Sequence, residues 1–184
     1  HDITDIKIKS LRRGIGQMLQ DVFLFSGSIK SNINLRDEEI SLDDIIDACK
    51  YVNADQFIEH LPKKYDEEVL EGGANFSSGE RQLLSFARTV VHKPQILILD
   101  EATANIDTET EQLIQKSLVK MMNIGTMLIV AHRLSTIQHA DNIICLQKGQ
   151  IVEQGNHQEL LKKKGYYYNL YRLQYQDQEV NSEE

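Results

Sequence analysis

The sequence predicts an α/β domain built on a mainly parallel sheet flanked by helices. Two uninterrupted apolar runs carry that expectation, Gln95 to Leu99 (QILIL) and Thr126 to Val130 (TMLIV). Runs without polar alternation fit strands covered on both faces, as parallel sheets require. Helical stripes alternate with the strand-like runs, the pattern of βα crossovers. Polar residues follow both apolar runs directly, and in open parallel sheets ligands sit outside the carboxyl ends of the strands.

Each element follows from local pattern. The opening residues, beginning at His1, read as strand or loop, and Ile15 to Leu19 as a short strand. Ser28 to Ile33 is expected to form a helical turn after Phe25-Ser26-Gly27. Leu42, Ile45, Ile46, Cys49 and Val52 form a helical stripe over Leu42 to Val52, with Asp43 and Asp44 placed to complement the dipole of its first turn. Ala54 to Leu61 is a short helix ended by Pro62, and Tyr65 to Asn75, with Gly72-Gly73, a loop. Ser78 to Val91 is helical, with Leu83, Leu84, Phe86, Ala87 and Val90 apolar. Thr108 to Met122 and Leu134 to Ala140 are further helices. Asn142 to Gln147 and Gln150 to Glu153 read as a hairpin around Lys148-Gly149. Asn156 caps a helix to Lys164, and Tyr166 to Tyr175 is an aromatic-rich packing helix. The acidic residues 176–184 are expected to be disordered.

Composition narrows the function classes. The chain has 184 residues, 41% hydrophobic and 26% charged, enough for one core and too few for two generous domains. No apolar run approaches the roughly 20 residues of a membrane-spanning helix. HDITDIKIK has no apolar stretch of the kind a signal peptide carries, although a start at His1 reads as an excised piece of something longer. Two cysteines, Cys49 and Cys145, form no disulfide framework and have no partners at zinc spacing. A net charge of −8 argues against a general nucleic-acid binder.

Asp100 and Glu101 end the first apolar run. Two carboxylates at a strand's carboxyl edge can hold Mg²⁺ and orient or deprotonate a water; equally, acidic residues there can simply cap a turn. His132 follows the second run and could reach a terminal phosphate or be a structural histidine. Gln20 follows the first short strand and is weak evidence by itself. The stretch Asn75-Phe76-Ser77-Ser78-Gly79-Glu80-Arg81-Gln82 opens a helix. Its start could bind an anion through backbone N–H groups, but Ser77 with Glu80 is also an S-x-x-E capping box that needs no ligand.

Taken in order, these motifs resemble the nucleotide-binding domain of ABC transporters over nearly the whole chain, from Ile6 to about Tyr175. ILILDEATANID resembles the Walker B strand and D-loop, NFSSGERQ the signature motif, LQD at Leu19 to Asp21 the Q-loop, and AHRLST at Ala131 to Thr136 the H-loop. EEVLEGG at Glu67 to Gly73 and QDVFLFSGSIKSNI resemble exporter-type versions, with departures at Leu70 and Gly72.

The resemblance implies an ATP- and Mg²⁺-dependent ATPase that drives export from the cytoplasmic face of a membrane. Asp100 would position Mg²⁺ with help from Gln20. Glu101 would activate water and His132 would contact the γ-phosphate. Ser77, Ser78, Gly79 and Glu80 would contact nucleotide held by a second such domain, and Asp107 would meet that partner. A transmembrane domain is the other implied partner. The implied organisation is a core segment 1–27 ending in the Q-loop region, a helical subdomain 28–92 carrying the signature, an ATPase core 93–175 and a tail 176–184. A soluble ABC ATPase acting on ribosome or nucleic acid, or a non-catalytic interaction domain, is the alternative.

The family's phosphate-binding P-loop, G-x-x-x-x-G-K-[ST], is absent: none of the ten glycines precedes a lysine. The chain is therefore expected to be a C-terminal fragment that lacks its phosphate cradle, is inactive alone, and carries an open sheet edge and an uncovered face that invite oligomerisation. The signature also departs from L-S-G-G-Q. Ser78 stands in place of a glycine and Glu80 in place of a neutral glutamine, which fits one half of a heterodimeric exporter, the alternative being a homodimer that tolerates a variant signature.

Overall fold

A computed structural model describes residues 2–19, 21–100, 108–131 and 134–181. The chain divides into two compact units, His1–Val130 and Ala131–Glu184.

The first unit is organised by three parallel strands in the order β1 (Ile15–Met18), β4 (Ile96–Asp100), β5 (Thr126–Val130). Parallel neighbours in register share a face. Gly16 and Met18 of β1 line up with Leu97 and Leu99 of β4, which line up with Met127 and Ile129 of β5. That face is the buried one: Met18, Leu97 and Leu99 are at most 1% exposed. On the opposite face Ile96, Leu128 and Val130 are 42%, 58% and 52% exposed. Among the described residues the apolar runs therefore do not have both faces covered: the inner residues are buried against helices, while Ile96, Leu128 and Val130 stay exposed. Among the described residues no strand pairs with the far edge of β5. An open edge and an uncovered face were both expected from the sequence.

The buried face packs on α5 (Ser78–Val91), with α2 (Ile29–Asn34) and α3 (Leu42–Tyr51) on the other side of that helix and α6 (Thr108–Met121) beside it. So many neighbours leave α5 little free surface: Leu83, Leu84, Phe86, Ala87 and Val91 are all buried. Val90 lies at the margin of the core rather than in it. In α3 the buried stripe is Ile45, Ala48 and Cys49, while Leu42 in its first turn is exposed. Gly16 permits the closest contact between sheet and helix. A Cβ there would meet the Thr89 methyl at 2.6 Å, and Leu97 and Pro94 at 3.0 Å.

Three segments fold differently from expectation. Residues 3–13 are not strand or loop: Asp2 caps a 3₁₀ turn at Ile3–Asp5, and α1 spans Ile8–Arg13 with Arg12 and Arg13 at its dipole-favoured end. The predicted loop Tyr65 to Asn75 buries Tyr65 and contains β3 (Glu68–Val69), which pairs antiparallel with β2 (Gly27–Ser28). The helix expected over Ala54 to Leu61 is a single turn, α4 (Asp55–Ile58).

In the second unit α7 (Leu134–Ile137) precedes the hairpin of β6 (Ile143–Gln147) and β7 (Gln150–Gly155). Asn156 caps α8 (His157–Lys163) in a capping box with Glu159. Helix α9 spans Tyr166–Asn181 and buries Tyr167, whose hydroxyl lies 2.8 Å from His157 Nδ1. The helix continues past Tyr175 through six residues assigned above to a disordered tail. No glycine or proline interrupts it, and Gln and Glu are good helix formers.

Two stability predictions follow from the packing. Gly16→Val should lower unfolding free energy by about 1–3 kcal/mol in urea titration, because the added methyls must displace Thr89, Leu97 or Pro94. The Cys49 thiol is fully buried, and burial, aided by Asp55, pushes its pKa up to about 12. At pH 8 a thiol reagent should modify Cys49 at least about a hundredfold more slowly in the native chain than in denaturant.

Candidate functional site

The candidate residues fall in two places, the three strand ends and the start of α5. Leu99 stands level with Met18, and Asp100 level with Val130, so the carboxyl ends of β1, β4 and β5 lie side by side. Asp100 is the last residue of β4 and shares the uncovered face with Ile96 and Ile98. It is half-buried there. Gln20, Glu101 and His132 follow these strand ends by two, one and two positions in the chain; with Asp107, they lie outside the described residues.

The start of α5 is fixed from several directions. Asn75 accepts from the Leu70 N–H at 3.0 Å and donates to the Glu68 carbonyl at 2.8 Å, closing the loop before the helix. Phe76 is buried and meets Phe57 edge-on. Gly73 adopts φ 70°, and a Cβ there would press on Leu24 and Arg81 at 2.8 Å. Arg81 in turn donates to the Phe76 carbonyl at 2.7 Å. Ser77 is the N-cap: its Oγ accepts from the Glu80 N–H at 3.2 Å, and Glu80 Oε2 accepts from the Ser77 N–H at 2.8 Å.

The capping box therefore forms. Ser77 is exposed, Ser78 and Glu80 are half-buried, and Gly79 is buried. Glu80 places its carboxylate at the positive end of the α5 dipole, where a phosphate would also be favoured. An incoming anion would meet that charge. If the two charges came within 4 Å, repulsion would be about 1–4 kcal/mol for effective dielectrics from 80 down to 20.

Sequence reasoning missed a polar cluster at the last turn of α5. Asn32 of α2 is 2% exposed, yet all its side-chain capacity is used. Its Oδ1 accepts from the Phe25 N–H at 2.8 Å and from Arg88 Nη2 at 3.0 Å. Its Nδ2 donates to the carbonyls of Phe25 at 2.7 Å and Ser28 at 3.1 Å. Arg88 of α5 also donates to the carbonyls of Asn32 at 2.8 Å and Phe23 at 3.0 Å. Its guanidinium lies over the Phe25 ring, and burial lowers its pKa. This cluster ties the segment after β1 to α5. It also holds Phe23 and Phe25 outward, 52% and 56% exposed, while Leu24 between them is fully buried. Leu70, 49% exposed, lies on the adjoining segment, joined by the Gly72 N–H bond to the Leu24 carbonyl at 2.9 Å. The available signal was a lone Arg in the apolar stripe of α5 and a lone Asn in that of α2.

Glu80→Ala should cost about 1 kcal/mol through loss of the box, whereas Glu80→Gln, which keeps an acceptor for the Ser77 N–H, should change stability by less than about 0.5 kcal/mol. Asn32→Leu should cost at least about 2 kcal/mol by leaving Arg88 and the Phe25 backbone without their partner. Thermal and urea unfolding would measure both.

Comparison with known proteins agrees with this geometry. A sequence profile described as ABC transporter matches residues 1–104. A putative ABC transporter ATP-binding protein of Streptococcus pneumoniae is 53% identical over 173 residues, covering 94% of this chain and 30% of the relative. The ATP-dependent lipid A-core flippase of Syntrophus aciditrophicus is 45% identical over 183 residues, covering 100% of this chain and 30% of the flippase. The solved structure of a bacterial Atm1-family ABC exporter with ATP bound matches with a TM-score of 0.83 and 39% identity, covering 94% of this chain and 30% of that one. The chain thus spans about three-tenths of the length of these relatives. A profile match over more than half of the chain, with about half of all residues identical along nearly its full length, leaves one conclusion: the chain belongs to the ABC transporter family.

Proposed function

We propose that the chain is part of the ATP-hydrolysing motor of an ABC exporter, and that the full polypeptide couples Mg-ATP hydrolysis to export of a substrate chosen by its transmembrane domain. The observation that supports this most is the alignment of three parallel strand ends, with Asp100 on the uncovered sheet face. That edge is where an α/β sheet presents residues to a ligand. Residues 28–92 act as the helical subdomain that carries the signature, and residues 93–175 as part of the ATPase core.

In this reading Asp100 holds Mg²⁺, with Gln20 as a second ligand. Among the described residues no group of three His, Cys, Asp or Glu could hold a metal ion. Mg²⁺ commonly takes one or two protein carboxylates and completes its shell with phosphates and water. The ion would neutralise charge on the nucleotide phosphates. Glu101 takes a proton from the attacking water. His132 hydrogen-bonds the γ-phosphate and holds it in line. Gln20 links the site to the transmembrane domain.

The domain works as one of a pair, with Ser77, Ser78, Gly79 and Glu80 facing nucleotide on a second nucleotide-binding domain and Asp107 meeting that partner. Ser78 adds a Cβ where close backbone approach is needed, and Glu80 adds a charge. The partner is therefore a non-identical subunit that supplies the stronger signature, while this chain supplies the water-activating residue. Phe23, Phe25 and Leu70 form an outward apolar surface suited to the transmembrane domain at the cytoplasmic side of the membrane. Among the described residues no helix is long and apolar enough to cross a membrane. The uncovered sheet face receives the P-loop helix from a segment outside these residues.

Calorimetric titration tests the reading. Mg-ATP should give no saturable heat at micromolar concentration with the 184-residue chain, and should bind a polypeptide extended upstream to include a P-loop. Micromolar binding by the short chain would contradict it. A full-length protein that hydrolyses ATP as a homodimer would contradict the non-identical partner alone.

A further inference from the structure

The end of α3 has a second polar feature, remote from the strand ends. Helix α3 closes in a Schellman turn: the Asn53 N–H bonds to the Lys50 carbonyl at 3.2 Å, and the Ala54 N–H to the Cys49 carbonyl at 2.9 Å. Asn53 holds the left-handed position at φ 57°, which glycine usually fills. Its side chain is therefore not needed to end the helix. Instead it reaches α6. Asn53 Nδ2 donates to Ser117 Oγ at 2.9 Å, and Asn53 Oδ1 accepts from Lys120 Nζ at 3.0 Å.

Further bonds surround these two. The Ser117 hydroxyl lies 2.7 Å from both the Val52 and Leu113 carbonyls, and Ser117 is fully buried. Tyr51 Oη donates to the Lys120 carbonyl at 2.6 Å, and Lys120 Nζ donates to the Tyr51 carbonyl at 3.3 Å. These bonds between the end of α3 and α6 join residues 64 to 69 positions apart in the chain. Ile114, Leu118 and Met121 of α6 extend the same attachment into the core shared by α3 and α5.

We infer that Asn53, Ser117 and Lys120 are positioning residues: they pin the last turns of α6 to the α3–α4 corner, so that the helix following the carboxylate end of β4 moves with the helices that carry the signature. The inference rests on the proposed ATPase reading, because only a nucleotide cycle gives that shared motion a task. Removing the clamp leaves the core contacts of α6 in place but loosens its alignment.

Asn53→Gly removes the amide and keeps the left-handed turn; Lys120→Ala is an exposed second variant if the first fails to fold. Hydrogen exchange on the 184-residue chain should show amides at 113–121 exchanging about tenfold faster in either variant, with β5 unchanged. In the full-length transporter, kcat for ATP should fall about tenfold with KM within about twofold. Faster exchange confined to 51–54, or an unchanged kcat, would overturn the inference. Absence of ATP hydrolysis in the unmutated full-length protein would instead overturn the ATPase reading, and the exchange result would still judge the clamp.

Discussion

The structure depends on the in-register parallel pairing of β4 between β1 and β5. That register sorts every strand residue to one of two faces. Leu97 and Leu99 go inward with Gly16, Met18, Met127 and Ile129, while Ile96, Ile98 and Asp100 go outward with Leu128 and Val130. A one-residue slip would bury Asp100 and expose the leucines, so burial of the inner face fixes the outward position of the carboxylate. The same pairing brings three strand ends to one edge, which is the geometric basis for a shared site.

Helix α5 converts that sheet into a working surface. Its middle packs on the sheet through the close approach at Gly16, and its last turn sends Arg88 to Asn32 and the Phe23 carbonyl. Its first turn presents Ser77 and Glu80 in a closed capping box. One helix thus links the buried face of the sheet, the apolar surface of Phe23 and Phe25, and the Ser77–Glu80 turn. A half-buried Arg with its partners satisfied holds such segments in one arrangement, since breaking any single bond leaves a charged donor without an acceptor. In Glu80 the box and the proposed nucleotide contact compete for one helix end, which is the physical reason to expect this signature to be the weaker half of a pair.

Much of the fold was legible because the signals were local. The limits of α5 and β5, and the capping box of Ser77 with Glu80, follow from periodicity and capping chemistry. Continuous apolar runs misled in one respect. QILIL and TMLIV are apolar on both faces, yet Ile96, Leu128 and Val130 on one face stay exposed, so pattern reported capacity for burial rather than burial itself. Helix α1 was missed because its apolar residues find no interior: none of its residues is buried. The β2–β3 pair is only two residues long on each side and depends on a contact across about forty residues of chain, which periodicity cannot see. The place of Asp100 at the carboxyl end of β4 was legible from the apolar run before it. The Asn32–Arg88 cluster and the Asn53–Ser117 clamp were not, because each joins residues more than fifty positions apart.

The central claim is that the strand-end residues activate water on a nucleotide bound largely by groups outside this chain. Nucleotide affinity and steady-state phosphate release, measured together for the full-length transporter carrying Glu101→Gln, test it most directly. The expected result is unchanged Mg-ATP affinity with hydrolysis reduced by about 10²-fold or more, the share typical of a general base. Hydrolysis at the unmutated rate, with affinity intact, would contradict the claim.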